Sequence, residues 1–246
     1  RASRGPPVGE IPSVIVSTPK VLYRTNELAD SEIVEHFADE VLPTYTNQKL
    51  LRVVVDQSAT GLKEEQMHFT QVSGQFMLPP FIEPIKERIL AQVESERPTA
   101  QKGESPVWRL CGFDTESHTM SFVKAKYSHY VVTNLAASLG YEIRRKQLLY
   151  LLEEGRKLRR LEDTLAANHL GLDAMVITSD GYTFLQRRSQ HVLTYPGMLG
   201  PSASGAMRVL AASPIPNPFA SMRAQIQDEL GIEPNEITLT YVGLTR

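Results

Sequence analysis

Residues Pro218 to Ile232 read PFASMRAQIQDELGI, and their spacing predicts one amphipathic helix of about three turns. Met222, Ile226 and Leu230 recur every four residues and form its apolar stripe. Gln225, Asp228 and Glu229 stand at three- and four-residue offsets on another face, from which they can converge on one point. Gly231 falls where a left-handed C-cap is expected, with Ile232 packing back on the stripe. Pro218 and Ser221 suit the start of the helix. Taken alone, such a stretch is more often an ordinary surface helix whose acids face water. The neighbouring segments change that balance. Leu170 to Asp180 (LGLDAMVITSD) reads as a near-continuous apolar strand, Asp180-Gly181 as a hairpin turn, and Tyr182 to Ser189 (YTFLQRRS) as a second strand with paired arginines. A loop rich in Pro, Gly and Ser follows from His191 to Gly205, and Glu236 to Val242 (EITLTYV) is expected as a closing strand.

At 246 residues the chain can hold one large domain or two ordinary ones, and its 41% hydrophobic content supports a real core. The 26 basic and 28 acidic side chains leave a net charge of −2, so no global field draws in nucleic acid or an anionic membrane. Cys111 is the only cysteine, which excludes an internal disulfide and a cysteine-rich zinc site and points to a reducing, cytoplasmic setting. No apolar run is long enough to span a membrane. The opening RASRGPPVGE has no apolar signal core and reads as a flexible leader or remnant.

In the first two thirds, residues 13–16 and 50–55 read as strands and residues 30–42 as a helix capped by Ser31 and stopped by Pro43. A second helix is expected over Phe81 to Val93, started by the Pro79-Pro80 pair and Pro84, with a polar loop from Glu94 to Ser105. Val107 to Val123 reads as a hairpin turning through Asp114 to Ser117. Tyr141 to Leu165 is the longest helical pattern; its basic clusters alternate with acids, which favours a salt-bridged solvent face over an RNA-binding patch. His36, His68 and His118 fall on separate elements and read as structural or solvated. A boundary near Ala166 divides the chain into residues 1–165, an N-terminal α+β domain, and residues 166–246.

The order of elements from Leu170 onward resembles the first half of a Nudix hydrolase domain. The signature of that family ends R-E-U-x-E-E-x-G-U, where U is a bulky aliphatic residue. Ile226, Asp228, Glu229, Gly231 and Ile232 match the U-x-E-E-x-G-U end, with Asp in place of the first Glu of the pair. The FLQRRS strand and the Pro196-Gly197 turn resemble the segment before the box. More narrowly, the chain is similar to the UDP-glucose diphosphatase branch. The residues that carry this are Leu170-Gly171, Asp180-Gly181, Arg187-Arg188-Ser189, Pro196-Gly197 and Asp228-Glu229, after a sizeable N-terminal extension. The implied fold is α/β, a Nudix-like α/β/α sandwich preceded by the α+β domain. The sandwich would be incomplete at its C-terminus, because the family domain continues with further strands and a second helix.

The departures are specific. Ala224 stands at the position of the box arginine, with Arg223 just before it, and Gln225 replaces a metal-binding glutamate. No acid occurs between Asp180 and Asp228, and the stretch from Gly205 to Ala224 is longer than the motif allows.

The resemblance implies a protein that binds, and hydrolyses if active, a nucleoside diphosphate linked to another moiety such as a sugar. That chemistry uses carboxylate-held Mg2+ to activate water. Asp228 and Glu229 are then the expected catalytic and metal-holding residues, and Gln225 an ancillary ligand that keeps an oxygen but lacks a charge. Neighbours on a strand point to opposite faces, so one of Arg187 and Arg188 is expected to clamp phosphate oxygens, with a plain surface pair as the equal alternative. Gly200, Ser202, Ser204 and Gly205 could let backbone amides approach a phosphate, although a Gly/Ser loop of this kind is more often a plain flexible connection. The lost glutamates keep a second outcome open: a catalytically inactive Nudix-like module for nucleotide sensing or protein interaction. A nucleoside diphosphate derivative is the expected partner and a homodimer the assembly allowed for. Membrane and nucleic acid are not expected partners.

Overall fold

The computed structural model describes residues 53–56, 61–96, 104–153, 159–183, 185–190, 192, 197–211 and 215–245. The elements expected at residues 13–16 and 30–42 lie outside them. The chain is a mixture of helices and strands, as an α/β composition requires.

Strand β1 (Val53–Asp56) overlaps the expected 50–55 region, and β2 (His68–Gln75) follows it. Pro84 sits in a 3-10 turn, Glu83–Ile85, that leads into helix α1 (Lys86–Glu96). Ile89 and Val93 lie one turn apart on α1 and form its buried stripe. The helix continues to Glu96, so the loop expected from Glu94 begins later. β3 (Pro106–Asp114) and β4 (Thr119–Lys126) make the expected antiparallel hairpin. Asp114 organises its turn by accepting from the N–H groups of Glu116 and Ser117 at 3.0 and 3.4 Å. The ladder bulges at Cys111, and β2 adds to the far side of β4 in parallel, giving the order β2-β4-β3.

Helix α2 (127–138) has a π-helical stretch, Val131–Leu135, between two α-helical pieces. Its Val131, Val132 and Leu135 pack with Ile89 and Val93 in one apolar cluster.

Among the described residues, the single helix expected over Tyr141 to Leu165 is not what forms. β5 (Glu142–Ile143) and β6 (Lys146–Gln147) make a hairpin instead, followed by the short helix α3 (Leu148–Leu152). Arg144 and Arg145 both take left-handed backbone, at φ 51 and 64°, which reverses the chain as tight hairpin turns do and stops a right-handed helix. The leucine pattern arose from burial: Leu148 and Leu152 complete the cluster around α1 and α2. Glu153 then closes the segment, its carboxylate accepting from Thr164 Oγ1 at 2.9 Å and the Arg159 N–H at 2.8 Å.

The outer edge of β3 holds the C-terminal part. The Leu110 N–H donates to Asn168 O at 3.3 Å and the Leu170 N–H to Trp108 O at 3.0 Å. The Trp108 N–H donates to Met207 O at 2.9 Å and the Val209 N–H to Pro106 O at 3.1 Å. Leu170 leads into β7 (Gly171–Ala174), which pairs antiparallel with β10 (Ala203–Ala206). The expected apolar strand is therefore shorter than LGLDAMVITSD, but its DG turn forms, with the Gly181 N–H donating to Thr178 O at 2.8 Å. β8 (Gln186–Arg187) pairs with β9 (Leu199–Gly200).

The closing strand also sits later than expected. Tyr241 bridges to Leu62, and β11 (Gly243–Thr245) pairs with β1, so the N-terminal partner sets the register. One apolar cluster accordingly spans residues on both sides of Ala166: Trp108, Phe122, Met207, Phe219 and Leu244.

Helix α4 (Pro218–Leu230) covers one face of β7 and β10. Met222 and Ile226 are buried with Ala203, and Leu230 packs beside them, so the expected stripe is the one used. Gly231 is left-handed at φ 71° and caps the C-terminus. The start differs from expectation, because Asn217 is the N-cap and Ser221 is buried inside the helix. Asn217 Oδ1 accepts from the N–H groups of Phe219 and Ala220 at 2.9 and 3.1 Å, while its amide donates to Glu64 at 2.8 Å. Asn217→Ala removes both functions and is expected to cost about 1–2 kcal/mol, read as a melting point lowered by about 2–8 °C. An unchanged melting point would show the cap to be dispensable.

Candidate functional site

α4 carries the three polar residues singled out in the sequence, and β10 brings backbone to them. The Ser204 N–H donates to Glu229 Oε2 at 3.3 Å, and the Gln225 amide donates to Glu229 Oε1. Both carboxylate oxygens of Glu229 thus have partners. The Gln225 amide lies close over Gly205, where a Cβ would stand 2.8 Å from Gln225 Oε1 and push that side chain aside.

The third partner is a residue that sequence reasoning missed. Arg208 Nη2 donates to Asp228 Oδ2 at 2.6 Å and makes a longer contact to Gln225 Oε1 at 3.5 Å. Its only local signal is that no other Lys or Arg occurs between Arg188 and Arg223. Gln225 and Asp228 come together around a guanidinium, and Glu229 joins them through the Gln225 amide.

The paired arginines diverge, as neighbours on a strand must. Arg188 Nη1 donates to Ser204 Oγ at 2.8 Å, which lies on the face of β10 opposite Ala203 and Gly205 and so away from α4. Arg187 Nη1 donates to the Gly197 carbonyl at 3.0 Å, on the exposed side. Asp173 faces Ser204 across the β7–β10 ladder. Burial of its carboxyl raises the Asp173 pKa even though the residue's outer surface meets solvent, and the Arg188 charge offsets part of that rise.

Arg223, the nearest basic residue to the vacated box position, is engaged elsewhere. It pairs with Glu64 at 2.6 Å, locking α4 to the segment before β2. Burial pushes the Glu64 pKa up, but hydrogen bonds from Asn217 and Arg223 together with the Arg223 charge outweigh it, and the net shift is downward.

The donor set can be compared with what Mg2+ demands, namely several free oxygen ligands in near-octahedral array. Gln225, Asp228 and Glu229 supply oxygens, yet as arranged they are matched to Arg208, Ser204 and one another. Among the described residues no group of three or more His, Cys, Asp or Glu is placed to hold a metal ion.

A separate open cavity of about 650 Å³ lies over the N-terminal sheet, lined by Phe76, Arg109, Cys111, Ser121, Glu162 and Thr164 among others. Its arginine is committed to structure, donating to the carbonyls of Leu161, Thr164 and Ala166. The Cys111 thiol donates to Ser121 O, and burial raises its pKa, so the nucleophilic thiolate is disfavoured there.

No protein-family model matches the chain, and no curated protein matches it. No helix among the described residues is long and apolar enough to cross a membrane.

Proposed function

We propose that this chain is a Nudix-like module that binds a nucleoside diphosphate linked to another moiety, such as a nucleotide sugar, without efficient Mg2+-dependent hydrolysis. The observation that carries this reading is the pairing of Asp228 with Arg208 and of Glu229 with Ser204 and Gln225. Carboxylates held this way neither gather a divalent ion nor activate water, while the Arg208 guanidinium beside them supplies a cation for a diphosphate. The α/β/α sandwich belongs to the same proposal; its support is α4 packed on the β7–β10 pair, with the Gly-capped acidic end of the helix beside the Gly/Ser strand. A soluble role in nucleotide sensing or protein interaction follows from it.

The second reading, an active diphosphate hydrolase, is favoured by the convergence of three oxygen-bearing side chains on one helix face. It requires Arg208 to swing away from Asp228 when Mg2+ and substrate arrive. Calorimetry with UDP-glucose and ADP-ribose, in EDTA and then in Mg2+, together with an assay for released monophosphates, separates the two. Saturable binding in EDTA with no product is the expected result. Mg2+-dependent product formation that Glu229→Gln abolishes would establish the hydrolase, and absence of binding in either buffer would remove the nucleotide from both readings.

A further inference from the structure

We infer that Arg208 is a built-in cation occupying the place a divalent ion would take on the acidic face of α4. The inference rests on the Nudix-like reading for the meaning of that place, while the charge geometry stands without it. Arg208 is mounted on fixed backbone. Its neighbours donate main-chain hydrogen bonds from Met207 N–H to Leu170 O at 2.8 Å and from Val209 N–H to Pro106 O at 3.1 Å. Arg208 itself bridges to Val107 on the edge of β3. From that mount a single nitrogen, Nη2, reaches both Asp228 Oδ2 and Gln225 Oε1.

The charges explain why a metal would be displaced. Gln225 already lacks the charge of a glutamate, and the Arg208 guanidinium cancels one of the two carboxylates that remain. A hard dication gains most from concentrated anionic oxygen, and here it must also displace a cation that it repels. The ion pair is half-exposed, so it contributes little to folding, and its removal should leave the protein intact. Among the described residues, Nε and Nη1 of Arg208 make no hydrogen bond, which leaves them for an anionic ligand.

The test uses the metal alone. Mn2+ binding, followed by electron paramagnetic resonance of the free ion, is measured for the wild type, R208Q and R208Q/D228N, with circular dichroism melts as the check on folding. R208Q is expected to bind Mn2+ at least about tenfold more tightly than the wild type, equivalent to about 1.4 kcal/mol. The added D228N substitution should abolish the gain, and R208K, which keeps the cation, should bind Mn2+ no better than the wild type. If R208Q melts early, R208A serves the same comparison. Equal Mn2+ affinity in the wild type and the Arg208-lacking variant would overturn the inference. Because no nucleotide is present, that failure is distinct from failure of the proposed ligand-binding function.

Discussion

Trp108→Ala is expected to destabilise the protein by about 3–5 kcal/mol and to do so for both halves of the chain in one transition. Trp108 is 1% exposed and meets Phe122 edge-on, with ring centroids 6.5 Å apart. Lys124 Nζ lies 5.8 Å from the centre of the same indole. Its main chain is where the two parts join, since its N–H donates to Met207 O and its carbonyl accepts from the Leu170 N–H. The cluster around it includes Phe219 at the start of α4 and Leu244 on β11, so the cavity left by alanine weakens the platform under the candidate site as well. Urea unfolding followed by far-ultraviolet circular dichroism and by tyrosine fluorescence reads this directly. Coincident curves shifted together are expected. Two separated transitions, with only one displaced, would show that the parts fold independently.

The second large effect is a loss of stability in mild acid, centred on His169. This residue lies on the strap that bridges to Arg109, with its ring edge-on to Tyr130 at 4.0 Å and close to Tyr127 at 5.6 Å. The residue is partly exposed, but its Nδ1 is sealed from solvent without a hydrogen-bond partner. Burial therefore depresses the pKa to about 4 from an ordinary 6.5. As pH falls below 6.5 the unfolded chain binds the proton first. The contribution is intact above pH 6.5 and is lost progressively down to about pH 4, at most about 3 kcal/mol. Burial lowers the His129 pKa as well, so His169→Phe should reduce the slope of stability against pH without flattening it. Glu104 acts in a lower window. Hydrogen bonds from Lys126 and Lys86 hold it at about 2, so its contribution fades only as pH falls from about 4.5 toward that value. Denaturation midpoints at pH 7, 6, 5 and 4 test the assignment; equal slopes for the wild type and His169→Phe would remove His169 from the account.

What was legible in the sequence was local. The stripe of α4 and its Gly231 cap, the β3–β4 hairpin and the Asp180-Gly181 turn each follow from periodicity or turn chemistry within a few residues. The Asn217-Pro218 pair was an equally local N-cap signal, and Ser221 drew attention away from it. The Tyr141–Leu165 stretch was misleading for a physical reason. Leucines spaced for a helix also satisfy a hairpin and a short helix packed on one cluster, and Arg144 and Arg145 turn the chain without the glycine or asparagine that usually marks left-handed backbone. The site was half legible. Gln225, Asp228 and Glu229 share a face by arithmetic, whereas Arg208 and the Ser204 N–H reach it only through the pairing of β10 with β7 and through the edge of β3. Nothing in the local sequence around Arg208 says that it faces Asp228.

The most direct test of the central proposal is a backbone-amide NMR titration with a nucleotide sugar in EDTA. The proposal predicts saturable shifts at Ser204, Gly205 and Gln225 through Glu229, with no need for a divalent ion. Shifts confined to the cavity around Phe76 and Cys111, or shifts that arise only when Mg2+ is added, would contradict it.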